Sequence, residues 1–332
     1  METRKVQQVG GGTYTVSIPI SWAEEHEIQA GGTAYLYTHR DGSLVVRWGE
    51  REEHTLGAVD VDLDGIAART DGAVAARTLN AAYAAGFERI TLHTTDAARR
   101  EAVRDRARTL VGVDVAEESD DHVEVGWLLD GNGLSVDQSV RQLRFVAGSM
   151  FDAALATFAG ATAEAGYITD RTEETDRLAR LVERQVTRAM VLFEELDRLD
   201  ATRTQLFAQY RTARELERVA TDAAEIARAV RQSGPAASTE LADEIQAVGE
   251  EVHEAVETAA DTAIDGGSSA TAHEALDRAD AASQEVRRLH RTVAAEQPPS
   301  AVLFTRVLDG VRHTAGHAES IAEIALERAV RR

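Results

Sequence analysis

The sequence predicts a mainly α protein with a small β-rich N-terminus: a swapped-hairpin β-barrel built by two chains, a small α/β middle domain, and a C-terminal pair of three-helix bundles. Three observations carry this. Proline occurs only at Pro19, Pro235, Pro298 and Pro299, so none interrupts the stretch from Leu134 to Ser233. Within that stretch apolar residues recur at helical spacing. Residues 4–48 instead alternate or run in short apolar segments punctuated by glycine, as strands do.

Taken in order, Val6 to Val9, Tyr14 to Ile18 and Ala34 to Thr38 read as strands, and Asp41-Gly42 as a hairpin turn before Leu44 to Trp48. Pro19 precedes a short helix, Ser21 to His26, closed by Gly31-Gly32, which makes the order ββαββ. Hairpins this short cannot bury both faces alone, so two chains are expected to interleave into one barrel. Residues 52–130 then read as a helix over Asp64 to Ala85 ended by Gly86, a strand Arg89 to His93, a helix Asp96 to Leu110, and strands Val113 to Glu117 and Val123 to Leu129. No Gly-rich turn joins strand to helix there, so a phosphate-binding loop is not expected.

Breaks near Gly166, Asp200, Ser233 to Ser238, Asp265 to Ser269 and Gln297 to Ser300 leave six helices, over 136–165, 170–199, 202–232, 239–264, 271–295 and 301–331. On the second, Leu178, Leu181, Val182, Gln185, Val186, Ala189, Phe193 and Leu196 share one face. The third and sixth align at a constant offset of 95: Arg211, Ala220, Ala223, Ile226 and Ala227 meet Arg306, Ala315, Ala318, Ile321 and Ala322. Two successive three-helix bundles are the simplest architecture. The domain boundaries expected are 1–50, 51–133, 134–234 and 235–332.

The chain carries 36 Lys plus Arg against 57 Asp plus Glu, a net charge of -21, with no cysteine. Disulfide frameworks, thiolate metal sites and Cys nucleophiles are thereby excluded. No apolar run is long enough to span a membrane, and the start lacks the apolar core of a signal peptide, so a soluble cytoplasmic protein is expected. Lys5 is the single lysine. Carboxylate-rich, lysine-poor chains suit concentrated salt, where charge repulsion is screened, so a salt-adapted source is expected; the rival is a GC-rich genome, which enriches Ala and Arg regardless of salt. Residues 1–50 carry only -2, leaving -19 for the rest, so the acidity does not exclude nucleic acid at the N-terminus.

The stretch Arg4-Lys5-Val6-Gln7-Gln8-Val9-Gly10 with Thr15-Val16-Ser17-Ile18-Pro19, then Trp22, Gly31 and Gly42-Ser43-Leu44, resembles the swapped-hairpin DNA-binding domain of the AbrB, MazE and SpoVT type. The resemblance implies a dimer that binds DNA through Arg4 and Lys5 together with Thr13 and Tyr14. The chain departs from that pattern where an arginine commonly follows the loop glycine, since Gly11-Gly12-Thr13 stands here.

In the third helix, the string from Leu216-Glu217-Arg218 through Thr221-Asp222-Ala223 is similar to the signature of the PhoU family of phosphate-uptake regulators. Val311-Arg312-His313-Thr314-Ala315-Gly316-His317 supplies a weaker copy in the sixth helix. The middle segment, with Arg77 to Gly86 and Leu110-Val111-Gly112, is similar to archaeal members with this domain order, which together with the acidic, lysine-poor composition implies a haloarchaeal source. The signature residues carried over are Glu217, Arg218, Asp222 and His317. In the family, carboxylates at i and i+4 bridge metal ions. Here Thr221 follows Glu217 at i+4, and Arg312 and Gly316 occupy both positions of the second copy, so no metal cofactor is expected.

Asp170 with Glu174, and His313 with His317, stand at i, i+4 and read as polar helix faces. Arg203, Arg211, Arg214 and Arg218 are expected to pair with acids three or four residues away. No nucleophile elbow or metal-protease helix appears, so the protein is expected not to be an enzyme. The combined expectation is a dimeric DNA-binding regulator, by resemblance a negative regulator of phosphate uptake when phosphate is plentiful. The alternative is an adaptor that restrains a phosphate transporter, or docks a signalling protein, without touching DNA.

Overall fold

The computed structural model describes residues 3–39, 42–48, 56–66, 71–129, 135–161, 165–236 and 239–331. Asp41 of the expected turn, Leu134, and the side chain of Asp170 lie outside the described residues. The chain divides into two compact units, residues 1–53 and 54–332.

In the first unit, β1 (Gln7–Val9) pairs antiparallel with β2 (Thr13–Thr15) across a glycine turn in which Gly10 has φ 66°. That left-handed value suits glycine. Helix α1 (Ile20–Glu25) follows Pro19, whose φ of -58° sets its entry, and β3 (Ala34–Thr38) pairs antiparallel with β4 (Leu44–Trp48). Trp22 meets Trp48 edge-on with ring centroids 5.4 Å apart. The order is ββαββ, although the second strand stops at Thr15 rather than Ile18. The two hairpins form separate sheets, and among the described residues no barrel closes within the chain. Val6, Val9, Tyr14, Ile20, Leu36 and Leu44 are consequently all exposed, Tyr14 at 70%.

The second unit opens with a two-layer α/β element. β5 (Ala58–Asp62) lies parallel to β6 (Arg89–His93), and α2 (Asp71–Ala85) makes the crossover. Helix α3 (Ala97–Thr109) leads into β7 (Val113–Glu118) and β8 (His122–Trp127), giving a sheet of order β5-β6-β8-β7. Leu79, Tyr83, Ile90, Leu92, Val103, Val123 and Val125 form its core. β5 was not expected, and Asp64 does not begin a helix. Its carboxylate instead accepts from the Thr94 hydroxyl at 2.7 Å and the Thr95 N–H at 3.1 Å, closing the turn that follows β5. Those bonds, the Thr94 hydroxyl foremost, hold the Asp64 carboxyl below the usual carboxylate range.

The remainder is helical: α4 (Val136–Phe158), α5 (Ala165–Val191), the short α6 (Phe193–Arg198), α7 (Arg203–Ser233), α8 (Glu240–Asp265), α9 (Ser269–Glu296) and α10 (Ala301–Val330). The first break falls at Gly160, not Gly166: φ of 101° at Gly160 is closed to side-chain-bearing residues, while Gly166 lies inside α5. The second helix is also interrupted at Leu192, which turns extended and begins α6. Of its predicted face Leu178, Leu181, Val182, Val186, Ala189 and Leu196 are buried, while Gln185 and Phe193 are half-buried. α7 starts with a capping box: the Thr202 hydroxyl accepts from the Gln205 N–H, and the Gln205 side chain accepts from the Thr202 N–H.

α4, α5 and α7 pack as one three-helix bundle and α8, α9 and α10 as another, joined along α7–α10 and α4–α8 by a single continuous core. The offset of 95 appears as paired contacts across α7 and α10, which run antiparallel. Arg211 bonds Glu327 at 2.6 Å, and its equivalent Arg306 donates to Gln232, the equivalent of Glu327, at 2.8 Å. The two bundles are thus related by an approximate two-fold axis near Asp222 and His317.

The α/β layer seats on the first bundle through arginines. Arg184 is fully buried and donates from Nη1 to the Tyr83 carbonyl at 2.8 Å. Its guanidinium carbon lies 4.9 Å from the Tyr83 ring centroid and 4.4 Å from that of Trp127. Burial pushes its pKa down to about 10, so the cation is retained at neutral pH on aromatic faces rather than carboxylates. Arg188 donates to the Gly86 carbonyl and pairs with Glu88 and Glu195; Arg106 of α3 pairs with Asp176 of α5 at 2.7 Å.

Helix approach in the seam requires Gly310, where an added Cβ would stand 2.6 Å from Ile226 Cγ1; at Gly316 of the same helix nothing lies within 4 Å. Gly310→Ala is expected to destabilise the fold by about 1–2 kcal/mol through overpacking, while Gly316→Ala stabilises it by ~0.5–1 kcal/mol through helix propensity. Urea titration of the two variants reads these opposite signs.

Candidate functional site: the seam between α7 and α10

Glu215 and Asp222 stand seven residues apart on α7, two turns along one face, and this face meets α10. Between them sits His317. Its Nδ1 lies 2.8 Å from Glu215 Oε2 and its Nε2 lies 3.3 Å from Asp222 Oδ2. His313, one turn earlier on α10, places Nδ1 3.7 Å from Asp222 Oδ1, and Arg218 bonds the other Glu215 oxygen at 2.7 Å. Burial pushes the His317 imidazole down, but the Asp222 and Glu215 carboxylates outweigh it and hold its pKa up at about 9. At neutral pH His317 is therefore a cation that donates from Nδ1 to Glu215 and pairs through Nε2 with the Asp222 carboxylate. Glu215 is correspondingly held below the usual range: its burial is opposed by His317 and Arg218.

Of the four signature residues, the structure brings Asp222 and His317 into contact and sets Arg218 beside them through Glu215, which the sequence reading did not single out. Asp222 and His317 are 95 apart, so they are equivalent positions of the duplication meeting at its two-fold axis. The equal offset already present in the alignment was the signal that could have paired them. Glu217 is separated from this group: two residues from Glu215, it is rotated about 200° around α7 and faces α5. There it accepts from Arg214 at 2.6 Å, near Arg180 and Asp176. Burial raises its pKa, and the neighbouring Asp176 and Glu183 add to the rise against Arg214 and Arg180.

This arrangement does not fit a multinuclear metal centre. Its carboxylates lie on opposite sides of α7, both nitrogens of His317 are spent on carboxylates, and among the described residues no group of three or more His, Asp or Glu is disposed to hold a metal ion. Glu174 pairs with Arg171 at 2.6 Å and accepts from Gln142, the polar helix face expected of it. Arg214 and Arg218 pair within their own helix as expected, whereas Arg211 reaches Glu327 on α10 and Arg203 stacks on Phe193.

In the N-terminal unit Arg4 and Lys5 are exposed ahead of β1, and Thr13 and Tyr14 are exposed on β2. β1 and β2 being hydrogen-bonded, all four belong to one hairpin with the Gly10 to Gly12 turn at its tip. No described helix is long and apolar enough to cross a membrane.

A histidine with a raised pKa stabilises the fold fully below the pKa of the unfolded chain, near 6.5, and the contribution is lost as pH rises through about 9. A shift of that size corresponds to roughly 3 kcal/mol. Thermal melts between pH 5 and 10 are expected to show a Tm decline spread between about pH 6.5 and about pH 9 that His317→Gln flattens; an unchanged profile in that variant refutes the assignment. For Glu217 the sign is opposite, since a raised carboxylate pKa costs stability once the group ionises. Glu217→Gln is expected to leave Tm at pH 7 unchanged or slightly raised, a result read from the same melts.

The PhoU domain family matches residues 140–230, which span α4, α5 and most of α7. The crystal structure of PhoU from Pseudomonas aeruginosa superposes with a TM-score of 0.52, covering 59% of this chain and 96% of that chain at 15% identity. That identity speaks to fold alone. No curated protein matches the chain. The first bundle of this chain is therefore similar to the PhoU domain over residues 140–230, and the chain shares its fold with the PhoU structure over 59% of its length.

Proposed function

We propose that the chain is a homodimeric, DNA-binding regulator of phosphate uptake that acts negatively when phosphate is plentiful. The observation that carries the phosphate assignment is the PhoU domain match over residues 140–230, within a pair of bundles that has the PhoU fold. The bundles sense state or dock a signalling partner, and the N-terminal unit engages the operator.

Support for the DNA arm is the form of that unit. It is a separate compact unit of two hairpins whose apolar residues, Val6, Val9, Leu36 and Leu44 among them, find no cover in their own chain. Pairing with a second copy covers them and brings Arg4, Lys5, Thr13 and Tyr14 together twice. The formal charge of residues 1–50, only -2, leaves this part compatible with phosphate contact, although such contacts weaken steeply with salt. Base-edge and shape contacts by the hairpin tip must then supply much of the specificity.

Chromatin mapping at high and low phosphate is expected to place the protein at phosphate-transport genes, with occupancy following phosphate supply. Arg4→Ala combined with Lys5→Ala is expected to abolish that occupancy while sedimentation still reports a dimer. Occupancy unchanged in the double variant refutes the DNA interface. Absence from DNA with retained phosphate regulation identifies the adaptor reading instead.

A further inference from the structure

We propose that the cleft between the α/β layer and the first bundle binds a small anionic ligand with an apolar or aromatic body. The cleft measures about 390 Å³ and lies at the junction of two layers, within the size and placement of small-molecule sites. Val111 forms its wall on the α/β side; Leu178 and Leu181 of α5 form an apolar floor. The polar lining comes from the start of α4 and from α5.

Most of that polar lining is already engaged. The Ser135 hydroxyl caps α4, the Ser139 hydroxyl donates to the Ser135 carbonyl, and the Glu174 carboxylate is held by Arg171 and Gln142. Two lining groups, the Arg177 guanidinium and the Gln138 side-chain amide, have no hydrogen-bond or ion-pair partner among the described residues. The contrast with neighbouring arginines is informative. Arg141, Arg144, Arg171 and Arg180 each hold a carboxylate within 3.0 Å. Arg177 and Gln138 are exposed at the mouth of the cleft, and a guanidinium beside an apolar floor, with no carboxylate in ion-pair range among the described residues, offers two parallel N–H groups to a ligand carboxylate or phosphate. The Gln138 amide then supplies a donor and an acceptor to the ligand's body.

Such a ligand touches both layers at once. Val111 is tied to the seat of the α/β layer, because its carbonyl accepts from the Tyr83 hydroxyl at 2.9 Å and the Tyr83 ring lies against Arg184. Occupation of the cleft therefore strengthens the docking of the α/β layer on the bundle, which makes the ligand an effector of interlayer coupling.

Calorimetric titration of the full-length chain with AMP, GMP, phenyl phosphate and indole-3-acetate tests this, with inorganic phosphate and adenosine as the isolated halves. At least one of the four anions is expected to bind with Kd below about 1 mM, and each half roughly tenfold or more weaker. Arg177→Ala is expected to weaken binding at least about tenfold with the Tm of the free protein unchanged, and Gln138→Ala to weaken it less. No binding of any of the four, or binding intact in Arg177→Ala, overturns the proposal. Inorganic phosphate binding as tightly as phenyl phosphate overturns the apolar half of it.

Discussion

The close antiparallel approach of α7 and α10 is the constraint on which the helical half depends. The two bundles meet through helices that align at the constant offset of 95, and contacts on one side of the axis have counterparts on the other. Arg211 with Glu327 and Arg306 with Gln232 are such a pair. So are Glu215 with His317 and the near approach of Gly310 to the Asp222 carbonyl. Ala220, Ala223, Ala315 and Ala318, all buried, keep the helices close enough for these contacts to form. A bulky residue at any of these positions separates both bundles, because the core is continuous across the seam.

A two-fold axis imposes a chemical rule on the residues beside it: equivalent positions face each other, so identical charges there repel. Asp222 and His317 resolve this by differing, an acid in one repeat and a base in the other. Glu215 adds a second acid on the side of α7, which is why His317 remains a cation well above the pH at which an isolated imidazole loses its proton. The contact is a charged hydrogen-bonded bridge with little exposure, where ionic screening is weak. Surface pairs such as Arg228 with Glu225 contribute far less.

Much of this was legible in the sequence, for physical reasons that differ by element. The helices announced themselves through uninterrupted apolar periodicity, and the repeat through its constant offset. β5 was missed although Ala58-Val59-Asp60-Val61-Asp62 alternates, because two aspartates in five residues resemble a turn; they face solvent on the uncovered side of the sheet. Gly166 was mistaken for a break because composition marks glycine without marking φ, and only Gly160 is left-handed. Arg184 was not singled out at all. An arginine on an amphipathic helix reads as surface, and its burial depends on Tyr83 and Trp127, which are distant in sequence.

The fate of the signature on α7 follows from the same geometry. A pair of carboxylates one turn apart needs a counter-charge, and a metal cluster is one way to provide it. In this chain Thr221 removes one partner, and its hydroxyl turns back to the Glu217 carbonyl at 3.0 Å. Glu217, left alone on the α5 side, lies by Arg214 and Arg180. Arg180 also holds Asp176, and Asp176 holds Arg106 of the α/β layer. Arginine thus supplies the positive charge here, and it does so with long side chains that reach a neighbouring layer. A metal ion would bind only the helices that ligate it, whereas this network extends from the signature helix through α5 to α3. The arginines beside the signature helix thus belong to the network that connects the first bundle to the α/β layer.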